Sequence, residues 1–409
     1  MIADPTPVDD LLRDLAPQVI GLLTRQSGDF DAAEDAVQEA LIAAAEHWPR
    51  EGIPENPRAW LQRTAGRRLI DQRRSEQARA NRELQVGLDT AAAASAMPDE
   101  DDTLAVLFMC CHPSLTPASA IALTLRAVGG LTTPQIARAF IVPEATMGQR
   151  ISRAKRTIAD SGVPFRSPTA EQRPVAIRSV LHVLYLMFNE GYVTSDGADL
   201  GRPQLADEAI RLARIVHREL PDDPEVAGLL ALMLLVEARR PARTTADGEP
   251  IPLPDQDRTT WDHALVEEGT AILDEAIAAG RVGEYQIQAS IAAVHDRANT
   301  ADATDWRQIL TLYELLERMT HNPVVTVNRA VAAAMVDGPA AGLTILDGLD
   351  GSVAGSHRVA AVRAHLLELS GDTDGAIESY RAAARLTTNL AEQRHLSMQA
   401  ARLRAQRAT

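Results

Sequence analysis

The chain has 409 residues, a formal net charge of -15 and an aromatic content of only 3%. The length predicts two or three domains with ample core, and the scarcity of aromatic residues favours a core of Ala, Leu, Val and Ile in closely packed helices. No apolar run approaches the roughly 18 residues of a membrane span. The acidic N-terminus MIADPTPVDD has neither the basic nor the apolar region of a secretory leader. We therefore expect an all-α protein of the cytoplasm.

The first strongly patterned segment, residues 29–48, predicts an amphipathic helix with an acidic outer face. Its apolar residues recur at the three- and four-residue spacing of a buried stripe. The inward positions are Ala33, Val37, Ala40, Leu41 and Ala44, and the outward positions are Asp35, Gln38, Glu39 and Glu46. Such an acidic face is suited to contact with a protein partner.

A proline-punctuated loop, PREGIPENP, leads from this helix into a basic helix. Residues 58–82 contain eight arginines and two acids, a net charge of +6. The pattern predicts outward arginines and an inward face formed by Trp60, Leu61, Thr64, Ala65, Leu69 and Ile70. A structured loop beside a basic helix is suited to contact with a nucleic-acid backbone and with unstacked bases.

Two adjacent cysteines follow in the segment MCCHP, residues 109–113. A zinc site needs separated ligands that can converge, whereas neighbouring residues on a helix point about 100° apart. We therefore expect Cys110 and Cys111 to be small buried core residues, and we predict no metal and no cofactor.

Residues 129–158 have the pattern of a helix-turn-helix. Thr133 as N-cap and Pro134 predict the start of a short helix, and Pro143 with Glu144 opens a second one. In the second helix a buried stripe is predicted at Met147, Ile151, Ala154 and Ile158, and the outward residues are Gln149, Arg150, Arg153, Lys155 and Arg156. Such a helix can lie in the major groove of DNA, although a helical hairpin with a solvated basic face has the same pattern.

The two basic segments belong to a chain that is otherwise acidic. Residues 170–409 hold 34 acids and 23 arginines, a net charge of -11. Screening limits charge interactions to about 10 Å at ordinary salt, so the local potential decides phosphate contacts. The net acidity therefore permits DNA binding but disfavours tight binding without a partner. The contrast in sign also suggests an intramolecular contact between the C-terminal half and the basic segments.

Taken together, AEDAVQEALIAAAEHW, PRAWLQRTAGRRLIDQRR and the helix-turn-helix resemble the two conserved domains of extracytoplasmic-function sigma factors. The resemblance covers roughly residues 9–163. It implies an all-α fold with a region 2 domain at residues 1–85, a linker at 86–102 and a region 4 domain at 103–163. The low-complexity segment LDTAAAASAMPDEDD lies where that family has a flexible linker.

The resemblance also implies roles for individual residues. The acidic helix of the family engages the clamp helix of the RNA polymerase β′ subunit, which assigns polymerase binding to Asp35, Gln38 and Glu39. The loop and basic helix read and melt the promoter −10 element, which assigns DNA contacts to Asn56, Arg58, Trp60, Arg63, Arg67 and Arg68. Trp60 is equally consistent with a purely structural role. The helix-turn-helix reads the −35 element, which assigns base or backbone contacts to Gln149, Arg150 and Arg153 and phosphate contacts to Lys155 and Arg156.

More than half of the chain lies beyond these two domains. After a predicted linker at 164–180, residues 181–409 form an Ala/Leu-rich series with degenerate tetratricopeptide spacing, as at Ala330, Gly342 and Ala364. The arrangement resembles the sigma subgroup with such an extension, group 42. The stretches that carry this resemblance are LYLMFNEGY (184–192), RRPARTTADGEPIPLPDQDRTTWD (239–262) and VDGPAAG (336–342).

The predicted function is that of a sigma factor that binds core polymerase, including its β′ and β subunits, and promoter DNA. The extension would inhibit the sigma domains, support them or recruit another protein. A stand-alone helix-turn-helix regulator with a tetratricopeptide sensor domain is the alternative. An enzyme is not expected, because the polar stretches FNEGYVTSDG and LPDQDRTTWDHAL lack a nucleophile motif, a phosphate loop or metal-ligand spacing.

Overall fold

A computed structural model describes residues 7–83, 102–162, 165–192, 202–245, 248–349 and 355–407. Over these residues the protein is helical and contains no β-strand, which confirms the predicted all-α fold. The chain divides into two compact units, Met1–Leu186 and Met187–Thr409. None of the described helices combines the length and the apolar composition that a bilayer crossing requires. The predicted linker at 86–102 lies outside the described residues except for Asp102.

The first unit is built from two groups of helices that lie before and after the predicted linker. The first group contains α1 (Pro7–Ser27), α2 (Phe30–Glu51) and α3 (Pro57–Glu83). The second contains α4 (Thr103–Cys110), α5 (Pro117–Ala127), α6 (Thr133–Phe140) and α7 (Glu144–Asp160). Helix α8 (Arg173–Tyr192) begins inside the segment predicted as a second linker and continues past the boundary of the unit.

The first group of helices packs around the predicted stripe of α2. Asp29 caps this helix, because its side chain accepts a hydrogen bond from the backbone N–H of Ala32. All five predicted inward residues, Ala33, Val37, Ala40, Leu41 and Ala44, are buried. Three of the six predicted inward positions of α3, Leu61, Ala65 and Leu69, are buried with them.

The second unit is a series of helices in which sequence neighbours pack on one another. The helices that follow α8 are α9 (Pro203–Glu219), α10 (Pro224–Glu237), α11 (His263–Ala278), α12 (Glu284–Arg297), α13 (Trp306–Thr320), α14 (Pro323–Asp337), α15 (Pro339–Asp347), α16 (His357–Leu369), α17 (Thr373–Leu386) and α18 (Leu390–Arg407). Helix α10 is buried on nearly every side, because α9, α11 and α12 all pack against it.

The small residues that suggested tetratricopeptide spacing lie where consecutive helices cross. Ala330 on α14 and Ala364 on α16 are fully buried, and Gly342 on α15 packs against the backbone of Ala330 and the side chain of Leu366. Ala376, Tyr380 and Ala383 line the buried face of α17 in the next pair of helices. Small side chains at such positions let the helix backbones approach closely.

We expect Gly342→Val to destabilise the second unit by about 2 kcal/mol or more. A Cβ atom at Gly342 would lie 2.5 Å from the carbonyl oxygen of Ala330 and 2.7 Å from Cδ1 of Leu366. Since the first of these atoms belongs to the backbone, α14 and α15 would have to move apart. Thermal or urea unfolding measures the effect. Ala340→Val, at an exposed position of the same helix, is the matched control and should change stability little.

Candidate nucleic-acid interface

The basic face of α3 begins at a capped N-terminus. The side-chain oxygen of Asn56 accepts a hydrogen bond from the backbone N–H of Ala59 at 2.9 Å, so Asn56 fixes the start of the helix. Beyond it, the guanidinium-bearing side chains of Arg63, Arg67 and Arg68 are exposed. The predicted position of these three arginines on the outer face is confirmed.

The inward face of α3 is narrower than the pattern predicted. Ile70 is 52% exposed, so its predicted burial is wrong; it lies next to the buried Leu69 but on the outer side of the helix. Trp60 and Thr64 are half-buried. The ring of Trp60 meets that of the buried Trp48 edge-on, with 5.5 Å between centroids, which anchors α3 to the end of α2. Arg58 is also half-buried.

Helices α2 and α3 bring the two predicted contact surfaces next to each other. Asp35 and Glu39 are exposed on α2, with 51% and 57% of their side-chain surface accessible. Glu39 forms an ion pair with Arg68 of α3. The acidic surface predicted for a protein partner therefore adjoins the basic surface predicted for DNA.

The helix-turn-helix is formed by α6 and α7. The N-cap of α6 is Thr132, not the predicted Thr133: the Thr132 hydroxyl accepts from the backbone of Gln135, and the Gln135 side chain accepts from the backbone of Thr132. Ile141 ends α6 in the left-handed conformation, with φ of 52°. This reciprocal capping explains the one-residue difference, since Pro134 is tolerated at either of the first two helical positions.

Helix α7 buries its predicted stripe and exposes most of its polar face. Met147, Ile151, Ala154 and Ile158 are all buried, as predicted. Of the residues predicted to point outward, Gln149, Arg153 and Arg156 are exposed and Arg150 is half-buried. An exposed polar and basic face on the second helix of a helix-turn-helix is the surface that enters a major groove in DNA-binding proteins of this kind.

The exception on α7 is Lys155, whose predicted outward position is wrong. Its side chain is only 5% exposed, and its ammonium group contacts three carboxylates of α2. The Nζ atom lies 2.9 Å from Glu34, 2.7 Å from Asp35 and 2.5 Å from Asp31. Lys155 is buried because α7 packs against α2, a contact between segments about 120 residues apart that helical periodicity cannot predict.

Gln38 is the second side chain whose predicted outward position is wrong. It is 2% exposed, and its amide donates a hydrogen bond to the backbone carbonyl of Arg126 on α5 at 2.8 Å. Arg126 in turn donates from Nε to Glu34 at 2.8 Å. Glu34 is fully buried and joins cations from α5 and α7, a role that the sequence pattern did not predict. The only sequence signal for it is a carboxylate next to the inward position Ala33.

Five charged side chains meet where α2 contacts α5 and α7, and we call this group the interregion ion cluster. Its members are Asp31, Glu34, Asp35, Arg126 and Lys155. Burial by itself lowers the pKa of Lys155, but the carboxylates of Glu34, Asp35 and Asp31 more than offset this and raise the pKa above its ordinary value. Lys155 is therefore firmly charged. Removing either partner of such a buried pair leaves an uncompensated charge, which is strongly unfavourable.

Both cysteines are buried core residues, as the sequence predicted. Burial raises the pKa of Cys111 to about 12 and that of Cys110 well above its usual range, so neither thiol ionises near neutral pH. The Sγ atom of Cys111 lies 3.6 Å from the hydroxyl of Thr124. Within the described ranges no group of three His, Cys, Asp or Glu side chains is arranged to hold a metal ion.

The polar stretches of the second unit hold its loops in place. Arg258 donates to the backbone carbonyls of His295 and Ala298 and lies over the ring of Trp261. Asp257 caps the turn at Thr259. In the other stretch Glu190 pairs with Arg202, and Arg243 lies over the ring of Tyr192 and donates to its carbonyl. Asp196 lies outside the described residues. The side chains of Arg258, Asp257, Glu190 and Arg243 therefore have structural contacts.

The second unit is expected to lose stability in mild acid through His295. Burial, with the nearby Arg239 and Arg258, lowers the pKa of His295 to about 3, whereas an unfolded histidine has a pKa of about 6.5. The folded state keeps His295 neutral, whereas the unfolded chain binds a proton at this residue below pH 6.5. The contribution of His295 to the free energy of unfolding is therefore fully present above pH 6.5 and is lost as the pH falls from 6.5 towards 3. At pH 5 the expected loss is about 2 kcal/mol.

Unfolding of the second unit measured between pH 7.5 and 5 tests this prediction. The variant His295→Gln, which has no titratable side chain, should show a shallower fall in stability over that range. His263→Gln, at an exposed position, is the control and should keep the steeper fall of the original chain. An identical pH dependence in all three proteins would contradict the assignment to His295.

Comparison with known proteins identifies the segments that carry these surfaces. Residues 11–79 match a family model for sigma-70 region 2, residues 105–158 match one for sigma-70 region 4, and residues 176–277 match a family of unknown function, DUF6596. The chain is also 41% identical to the Rhizobium meliloti (strain 1021) protein R00370, described as uncharacterized, over 98% of this chain and 97% of the relative. No solved structure matches the chain.

Proposed function

The chain belongs to one family with R00370 along its full length and carries sigma-70 regions 2 and 4, and we propose that it binds core RNA polymerase and directs it to promoters with −10 and −35 elements. The observation that carries this proposal is the order of the two matched regions, each with an exposed arginine face, on α3 and α7. A transcription initiation role follows from the two regions themselves; polymerase binding and the roles of single residues are the proposed part.

Polymerase binding is assigned to the acidic face of α2. Asp35 and Glu39 stand one turn apart on the same face, so the clamp helix of the polymerase β′ subunit would contact both. In this structure Glu39 is outside the contact with α7, whereas the Asp35 carboxylate is paired with Lys155. Gln38 stands between them but donates to the carbonyl of Arg126. Its participation requires that α5 moves away from α2. The β subunit of polymerase is the second proposed partner.

Recognition of the −10 element is assigned to the start and the exposed face of α3. Arg63, Arg67 and Arg68 would contact the backbone of the opened strand, with Arg58 closer to the start of the helix. Trp60 and Asn56 already have structural contacts, to Trp48 and to the backbone of Ala59. Both lie where the loop meets the helix, which is the position at which a captured base would be read.

Recognition of the −35 element is assigned to α7. Gln149, Arg150 and Arg153 would contact base edges or the backbone, and Arg156 would contact phosphates. Lys155 was assigned to phosphates on sequence alone, but its ammonium group is bound to carboxylates of α2. It is available to DNA only when that contact opens.

The helical C-terminal unit is proposed to regulate or support the sigma regions in the cytoplasm, through a contact with them or with another protein. Its stretches at 184–192, 239–262 and 336–342 support membership of the group 42 subgroup. Arg258, Trp261 and Gly342, which belong to these stretches, carry packing and loop contacts.

Run-off transcription tests the proposal directly. The full-length chain is added to core polymerase on a template that contains the DNA upstream of the chain's own gene. Core polymerase without the chain is the control. A specific start that depends on the chain is the expected result. If the chain shifts promoter duplex by itself and neither binds core polymerase nor yields a transcript, the stand-alone regulator is the correct function.

A further inference from the structure

Region 4 is packed directly onto the helix of region 2 that is proposed to bind polymerase. The contact is centred on Glu34, which is fully buried between Arg126 of α5 and Lys155 of α7. Gln38, also on α2, is buried by its hydrogen bond to the backbone of α5. Two of the three carboxylates that hold Lys155, those of Asp31 and Asp35, keep part of their surface accessible.

Further contacts show that the two regions fit each other by shape as well as by charge. Asp102, which immediately precedes α4, is largely buried and pairs with Arg25 of α1. Gly21 of α1 makes this approach possible, because a Cβ atom at that position would overlap the Asp102 side chain. Gly130, before the helix-turn-helix, would place a Cβ atom 3.4 Å from the Cα atom of Arg13, so it too packs closely on α1.

We infer that this is a closed state of the sigma factor, in which the interregion ion cluster holds region 4 on the acidic face of α2 and keeps that face from polymerase. This inference rests on the proposed polymerase role of α2. Of the three residues assigned to polymerase, Asp35 pairs with Lys155 and Gln38 with the α5 backbone. Only Glu39 lies outside the contact with region 4, since its partner is Arg68 of α3.

The ammonium group of Lys155 has one partner in the closed state and another in an open state, in which region 4 has moved away from α2. In the closed state Asp31, Glu34 and Asp35 surround its ammonium group as phosphate oxygens would. In the open state the same group lies on the helix that is proposed to bind the −35 element. Opening thus releases a polymerase contact, Asp35, and a DNA contact, Lys155, in one step. Binding of core and promoter offsets the loss of the buried pairs.

The first experiment measures the distance between α2 and α7 in the full-length chain. Cysteines introduced by Ala45→Cys and Ala159→Cys, both at exposed positions, carry spin labels. The native Cys110 and Cys111 are buried with raised pKa values, so they react slowly with the labels. We expect one short distance in the free protein and a longer one after core polymerase is added. A short distance that persists in the polymerase complex would overturn the inference.

The second experiment weakens the cluster without altering a residue assigned to polymerase. Lys155→Gln removes the buried cation, and it should lengthen the distance in the free protein and tighten core binding about tenfold, because a larger fraction of the chain is competent to bind. Arg138→Gln removes an exposed arginine of region 4 and is the control; it should change neither quantity. Circular dichroism checks that each variant retains its helices.

The outcomes separate this inference from the proposed function. If Lys155→Gln leaves the distance short and core binding unchanged or weaker, the cluster does not hold a closed state. If the variant lengthens the distance but neither it nor the original chain binds core polymerase, the closed state is real and the polymerase role is wrong. The wild-type distance in the polymerase complex decides the matter even if Lys155→Gln does not fold.

Discussion

Glu39→Arg is expected to weaken binding to core polymerase by about 10- to 100-fold while the fold and the closed state stay intact. The Glu39 side chain is more than half exposed, and its partner is Arg68 rather than any residue of region 4. The substitution therefore reverses a charge on the proposed polymerase surface without touching the interregion ion cluster. Fluorescence anisotropy of the labelled full-length chain, titrated with core polymerase, measures the affinity.

Glu46→Arg is the matched control for this prediction. Glu46 is exposed on the same helix, about two turns beyond Glu39, and it is not among the residues assigned to polymerase. Both variants change the net charge of α2 by the same amount. Equal weakening by the two variants would mean that polymerase responds only to the overall charge of the helix, and the assignment of Glu39 would then fail.

The elements of the first unit follow from local sequence pattern. The stripe of α2 from Ala33 to Ala44 and the stripe of α7 from Met147 to Ile158 are buried as predicted. Both stripes arise from the spacing of apolar residues within one helix, which sequence alone displays. The same is true of the exposed arginines on α3, since they stand opposite Leu61, Ala65 and Leu69.

The errors at Ile70 and at the N-cap of α6 are local, whereas those at Lys155 and Gln38 arise because a distant segment decides the environment. Lys155 and Gln38 are polar residues beside a buried stripe, and a single helix considered alone would expose both. Their burial depends on α2 meeting α5 and α7, and the charge pattern of either segment does not specify that contact. The buried carboxylate of Glu34 belongs with them, because it is stabilised only by cations about 90 and 120 residues away.

In the second unit, too, features that depend on local spacing could be predicted from the sequence, and features that depend on contacts between distant segments could not. Its helical pairs and small crossing residues, such as Ala330 and Ala364, could be predicted from the repeat spacing. The low pKa of His295 could not, because it comes from burial together with two arginines brought close by different helices and loops. The polar stretches around Arg258 and Tyr192 likewise become intelligible only from the backbone groups they contact.

The double variant Arg63→Ala and Arg67→Ala is expected to reduce run-off transcription from duplex promoter by about 10- to 100-fold with core binding unchanged. Both side chains are exposed one turn apart on α3, where they would hold the backbone of the opened −10 strand. Neither contributes to the buried face of the helix, so its packing should be retained. Transcript yield on linear duplex, at a fixed salt concentration, gives the primary measurement.

A template with a pre-opened bubble over the −10 element distinguishes melting from general DNA affinity. If the two arginines stabilise the opened strand, the bubble should restore much of the lost transcription, because the unfavourable separation of the bases has already been made. Arg74→Ala, at an exposed position of α3 outside the assigned set, is the control and should retain activity on both templates. An equal loss on duplex and bubble templates would contradict a role in melting. It would instead assign Arg63 and Arg67 to sequence-independent attraction of the promoter, which falls steeply with rising salt on either template.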